Sequence, residues 1–214
     1  MPITAQQLGA IMPRAQAANR VTVWVGPLNA AMTRFQIDAS KPRMAMFLGN
    51  LAVESGELSA REENLRYSAD RLRQVFPGMF AGNPGKADEI VAGGPQAIAN
   101  FIYDDANRSP RARLGNTQPG DGFKYRGRGP LQITGRDNYA AFFRSVGMPT
   151  DSDPDFLLSP DGGSVAGAHY FRSHGCNELA DAGDFDGCVA AINSAKLGFA
   201  ERQAFFNTAM ATLP

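Results

Sequence analysis

Apolar residues recur every three or four positions along most of this chain, a spacing that predicts helices. Leu8, Ile11, Met12, Ala15 and Ala18 mark a first helix within 3–22. Trp24 and Pro27 mark a turn, and Pro27 suits the first position of a second helix carrying Leu28, Ala31, Met32 and Phe35 on one face. After a connection ending at Pro42, Met44, Phe47, Leu48 and Leu51 follow the i, i+3, i+4, i+7 rule and define the buried stripe of a third helix. Glu54 continues the edge of that stripe, and Gly56 is placed to end the helix in a left-handed conformation. Further helices are expected over 69–80 (stopped by Pro77), 86–91, 95–104, 136–146, 164–171, 187–193 and 199–212. Leu131-Gln132-Ile133 alternates as a short extended piece, with Gln132 facing away from its apolar neighbours. Residues 105–123 and 151–163 read as loops, the first long enough to be a binding loop. Strand signals are almost absent, so the expected class is mainly α.

Composition narrows the picture. The 214 residues carry 43% apolar and 20% charged side chains, as a globular protein does. No linker or internal repeat divides them, so a single domain over 1–214 is expected, without a separate binding module. A formal net charge of zero offers no global attraction to nucleic acid. The first residues lack the basic start and apolar core of a secretory signal. The run from Met44 to Val53 falls short of the roughly 20 residues a bilayer span needs. The expectation is a soluble, monomeric, cytoplasmic protein that does not insert in membranes and must be delivered to any target outside. Cys176 and Cys188 read as two free buried thiols, in preference to one bond closing a short loop. His169 and His174 have no ligand cluster at metal spacing, and no phosphate loop or dinucleotide fingerprint occurs. Neither a metal nor a cofactor is expected.

The candidate chemistry lies in residues 51–68. Glu54 stands at the last turn of an apolar helix, and Glu62 and Glu63 follow in an irregular segment. Paired carboxylates are what glycoside hydrolysis requires. Apolar neighbours and the negative end of a helix dipole both disfavour the charged form of Glu54, which suits a general acid. Further on, Gly127 and Gly129 let backbone approach a ligand or another segment closely. Arg126 and Arg128 occur once in a neutral chain, so they read as counter-charges to the glutamates and not as a nucleic-acid patch.

Glu54-Ser55-Gly56, then Glu62 to Ser68, then the block Asp121-Gly-Phe-Lys-Tyr-Arg-Gly-Arg-Gly-Pro-Leu-Gln-Ile-Thr-Gly-Arg-Asp-Asn-Tyr139 stand in the order of the family 19 glycoside hydrolases. Gly175 to Asp181 and the segment from Ile192 to Arg202 fit the same pattern, so the chain resembles that family from about residue 20 onward. It looks most like the phage endolysins and lysozyme-like members of this chitinase-related group. The resemblance implies a lysozyme-like, mainly α fold with a deep sugar-binding cleft and little or no β structure. It implies Glu54 as catalytic acid and Glu63 as general base, with Glu62 the fallback. It places Gln132 and Thr134 on sugar or the attacking water and Asn193 on substrate. Arg202 would be the positive partner of the carboxylates, and Tyr125 and Asn138 further cleft residues. The family inverts the anomeric centre, which needs acid and base roughly 6.5–9.5 Å apart. Val53 stands where the family usually has His, Glu57 where a second Gly is common, and Ser194-Ala195 where Gly-Gly follows the asparagine. Glu57 would either raise the pKa of Glu54 further by like-charge repulsion or face solvent.

The expected activity is hydrolysis of β-1,4 links in peptidoglycan, lysing bacteria. The alternatives are a chitinase and an inactive glycan-binding protein. The expected partner is a glycan strand, joined by an immunity protein if the chain is an injected effector. Its expected place of action is the periplasm and cell wall, reached through a pore or by injection from a bacterial cytoplasm.

Overall fold

The computed structural model describes residues 2–59 and 62–214. Arg61, at the head of the glutamate-bearing connection, lies outside them. In chain order the helices are α1 (Ala5–Ile11), α2 (Pro13–Ala17), α3 (Val21–Arg34), α4 (Lys41–Glu54), α5 (Ala69–Val75), α6 (Pro77–Phe80) and α7 (Lys86–Ala92). They continue as α8 (Gly94–Ile102), α9 (Asp121–Lys124), α10 (Arg136–Ser145), α11 (Pro160–Ser173), α12 (Cys176–Asp181), α13 (Phe185–Ile192) and α14 (Phe199–Thr212). Among the described residues β pairing is confined to isolated bridges joining Arg128 to Glu62 and to Ile133. The chain is mainly α. None of its described helices is long and apolar enough to cross a membrane.

The chain forms two compact units: Met1–Arg61, Gly129–Leu131 and Asp155–Pro214 make the first, Glu62–Arg128 and Gln132–Pro154 the second. In the first unit α4 is the central helix. Its stripe residues are buried, and so are Ala45, Met46 and Ala52, because neighbouring helices cover it on several sides. Ser40 caps its start by accepting from the Arg43 amide, and Pro42 sits in its first turn, where a missing N–H costs nothing. The backbone of α14 lies directly on α4 at Gly49. A methyl group there would stand 3.0 Å from the Phe206 nitrogen and 3.1 Å from the Arg202 carbonyl oxygen. Cys176 and Cys188 are buried free thiols in the same core.

The second unit has its own core of Leu65, Leu72, Phe80, Ala87, Ile90, Ile98, Ala99 and Ile102. Tyr139, Phe142 and Phe143 of α10 form a chain of ring contacts that Tyr125 joins at Tyr139. The stretch 105–123 is more ordered than a loop: Asp105 accepts from the Leu114 and Gly115 amides, and short 3-10 turns and α9 fill much of the rest.

Several expected boundaries move, each for a local reason. The first helix breaks at Met12, because Pro13 cannot continue a helix and instead begins α2. Pro27 does not open a helix; it lies within α3, which begins at Val21. The carbonyl that Pro27 leaves without its helical partner belongs to Val23, a residue 56% exposed, so water can take the bond's place. Leu131-Gln132-Ile133 is not extended: Gln132 has φ +52°, and the backbones of Arg128 and Ile133 exchange hydrogen bonds of 3.2 and 3.0 Å. The loop expected over 151–163 ends early, since Ser159 caps α11 through the Gly162 amide. α12 follows the left-handed Gly175 where no helix was expected.

Candidate active site

Glu54 closes α4, and the next residues carry the chain out of the helix through three left-handed positions, Gly56, Glu57 and Leu58. Its Oε1 accepts a hydrogen bond of 2.5 Å from Nη2 of Arg202, a side chain of α14 with 1% exposure. Arg202 donates through Nη1 to Asn50 Oδ1 at 3.0 Å and through Nε to the Leu197 carbonyl at 3.0 Å. Asn50, one turn before Glu54 on α4, donates in turn to the Met46 carbonyl. A buried guanidinium is tolerated only when paired and hydrogen-bonded, and here all three of its nitrogens have acceptors. Expectation from helix end and apolar neighbours alone was a carboxylate whose charge is disfavoured. In the structure the Arg202 guanidinium lies against one oxygen of that carboxylate.

The neighbours of Glu54 that depart from the family pattern have structural work. Glu57 does not face solvent. Its carboxylate, 2% exposed, accepts from the Arg14 amide at 2.7 Å and pairs with Arg14 Nε at 3.0 Å, while its carbonyl accepts from Arg20. Val53 packs at the place where a methyl group on Gly198 would come within 3.1 Å of its Cγ1. Tyr170 of α11 is a neighbour that the sequence did not announce. Burial pushes its hydroxyl above the ordinary tyrosine value, aided by Cys176 and by the charge of Glu54. Asn193 caps α13, half-buried, with its carbonyl accepting from the Lys196 amide at 2.8 Å.

In the second unit the two adjacent glutamates have different surroundings. Glu62 is 43% exposed and forms an ion pair with Arg126, whose guanidinium lies 4.2 Å from the Phe123 ring centre. Glu63 is half-buried and held by neutral donors: the Tyr103 hydroxyl to Oε2 at 2.6 Å and the Gly127 amide to Oε1 at 2.5 Å. Its own amide donates to the Gly127 carbonyl at 3.0 Å. Gly127 is the point on which the expected polar residues converge. A methyl group there would lie 2.9 Å from Gln132 Oε1, 3.1 Å from Thr134 Oγ1 and 3.4 Å from Glu63 Cβ. Thr134 donates to the Gln132 carbonyl at 3.0 Å, and the exposed Asn138 to the Thr134 carbonyl at 2.7 Å.

Tyr125, expected as a cleft residue, is largely covered in the second unit. It is 5% exposed, with its ring against Tyr139 and the Arg136 guanidinium 4.9 Å from its centre. A ring covered in this way supports the segment around it. Arg126 pairs with Glu62 as a counter-charge, and Arg128 donates to the Lys124 and Arg126 carbonyls and to the Tyr139 hydroxyl. Among the described residues no three His, Cys, Asp or Glu side chains gather as a metal site would require.

No family model matches the chain. A protein of Haemophilus influenzae, named as a glycosyl hydrolase family 19 domain-containing protein, is 38% identical over 173 residues, 81% of either chain. The chain belongs to glycoside hydrolase family 19. It is therefore a chitinase-related glycoside hydrolase. Chitinase C from Streptomyces griseus matches this family 19 hydrolase with a TM-score of 0.64 at 19% identity, over 99% of this chain and 92% of that one. A Glu-to-Gln mutant of the same chitinase C matches it equally well. At that identity the likeness shows a shared mainly α fold.

The residues that sequence reasoning missed in this hydrolase are Asn50, Tyr103 and Tyr170. Asn50 left a signal, a lone amide inside an apolar helix one turn from a carboxylate. Tyr103 left none, because its partner Glu63 is 40 positions away.

Proposed function

We propose that this family 19 hydrolase cuts the β-1,4 links of bacterial peptidoglycan with inversion, Glu54 protonating the leaving oxygen and Glu63 drawing a proton from water. The observation that carries the reading is the contrast between Glu62 and Glu63. Arg126 neutralises Glu62, whereas the two donors to Glu63 are uncharged and orient the carboxylate without cancelling its charge. A base needs that charge. Arg202 fits the acid half: once Glu54 has given up its proton, the guanidinium 2.5 Å away stabilises the carboxylate left behind. Gln132 and Thr134, beside Glu63, are the side chains to hold the water or the sugar next to it.

The resemblance of the 121–139 block to lysozyme-like members supports peptidoglycan as the substrate. Chitin is the second reading, favoured by the fold shared with chitinase C. In the first case the protein acts on the wall of a bacterium after release through a pore or injection. An injected effector would bring an immunity protein that occupies the site.

The test is turbidity loss in permeabilised Gram-negative cells beside cleavage of chitin hexasaccharide, with proton NMR of the first product formed. Inversion yields the α-anomer, and a reducing end excludes a 1,6-anhydro product. Glu54→Gln and Glu63→Gln should each lower turnover by about 10²–10⁴-fold. Wild-type rates in either variant would remove the corresponding role, and cleavage of chitin alone would favour the second reading.

A further inference from the structure

We propose that Tyr103 is a positioning residue for the base: its hydroxyl, with the Gly127 amide, fixes both oxygens of the Glu63 carboxylate in one orientation. This rests on the reading of Glu63 as base. Tyr103 caps the end of α8, where its amide donates to the Ala99 carbonyl at 3.0 Å. Its hydroxyl reaches Oε2 of Glu63 at 2.6 Å while Gly127 takes Oε1, one donor to each oxygen. A carboxylate gripped at both oxygens cannot turn about its last bond, so the lone pairs left for water keep a constant direction.

The tyrosine is itself held. Its carbonyl accepts from Asn116 Nδ2 at 2.9 Å, and Asn116 is 1% exposed. The Asn116 Oδ1 accepts from the Arg136 amide at the start of α10, and its carbonyl accepts from the Asp105 amide. The long 105–123 segment thereby braces the residue that braces Glu63. Burial, then the hydrogen bond and charge of Glu63, push the Tyr103 hydroxyl far above the ordinary tyrosine value, so it stays a donor throughout the working pH range. Tyr67 and Arg108, whose guanidinium lies 6.0 Å from the Tyr103 ring centre, are charged or titratable groups beside Tyr103, and Glu62, next to Glu63 in the chain, is paired with Arg126.

The sign of the effect follows from the direction of donation. An O–H donated to a carboxylate favours its ionised form, the form a base needs. Tyr103→Phe keeps the ring and removes the donor, so the acid limb of the pH profile of kcat/KM should move up by about one pH unit. The alkaline limb and KM should stay in place. A purely structural role would lower kcat at every pH and leave the limb where it is. Incorporating 3-fluorotyrosine at position 103, a stronger donor of nearly the same shape, should move the acid limb the other way; it also serves as the readout if the Phe variant fails to fold. An unmoved acid limb, or a shift of the same sign in both variants, overturns the proposal. Glu63→Gln, measured alongside, separates the two ideas. If it keeps wild-type activity the base reading falls, whereas an inactive Glu63→Gln with an unmoved Tyr103→Phe profile removes the role of Tyr103 alone.

Discussion

Position 57 joins two costs that proteins usually keep apart. A glutamate takes a left-handed backbone, φ +56°, and buries its carboxylate to 2% exposure. Both are met because Arg14 supplies an amide and a guanidinium to the carboxylate and Arg20 caps the carbonyl. Glu57→Ala leaves the Arg14 amide without its acceptor and keeps the strained backbone, so denaturant unfolding should show a loss of about 1–3 kcal/mol. Glu57→Gly loses the same contacts but accepts the left-handed backbone freely, and should fall less than the alanine variant. Arg202 presents the complementary case. Arg202→Lys keeps the charge and loses the fork that serves Glu54, Asn50 and Leu197 at once. Turnover should drop by at least tenfold, and the thermal midpoint should fall with it, since a lysine cannot reach three acceptors in one plane. Wild-type turnover in that variant would mean that charge alone suffices.

Among the elements, α4 and α14 set the accuracy with which Glu54, the proposed acid, meets Arg202. They touch through bare backbone at Gly49, and Arg202 leaves α14 beside that contact. Gly49→Ala must force the helices apart by some tenths of an ångström. A stability loss of about 1–3 kcal/mol is expected, with a fall in turnover larger than the structural change suggests, because Arg202 moves with its helix. Circular dichroism and kinetics on one preparation would check both. α4 is the helix most legible in the sequence, since its stripe, Pro42 near its start and Gly56 past its end all agree. The prolines were not legible in the same way. Pro13 starts a helix and Pro27 lies inside one, and only packing around Trp24, Leu28 and the exposed Val23 separates the two cases. Gln132 was misread for a related reason: alternating Leu-Gln-Ile suggests a strand, but the backbone bonds between Arg128 and Ile133 close a turn around it.

For the molecule as a whole, class and family could be read from the chain, because helical spacing and the 121–139 block are local patterns. Glu54, Glu63, Gln132, Thr134 and Arg202 came with that block and its flanking motifs. What joins them did not, since Asn50, Tyr103 and Asn116 act through hydrogen bonds to residues far away in sequence. Interleaving of the two units explains part of this: residues 62–128 and 132–154 interrupt the first unit, so its core joins 3–58 to 168–213. A chain ending at residue 198 lacks α14, and should lose cooperative unfolding of the first unit along with all hydrolytic activity. The same interleaving bears on the order of synthesis. Glu54 leaves the ribosome 148 residues ahead of Arg202, and every residue of the second unit is made in between. Nascent and prematurely terminated chains that stop before α14 therefore carry Glu54 without the helix that holds its partner, and a cell translating this message meets no competent glycan-cutting enzyme until Phe199–Thr212 has been made.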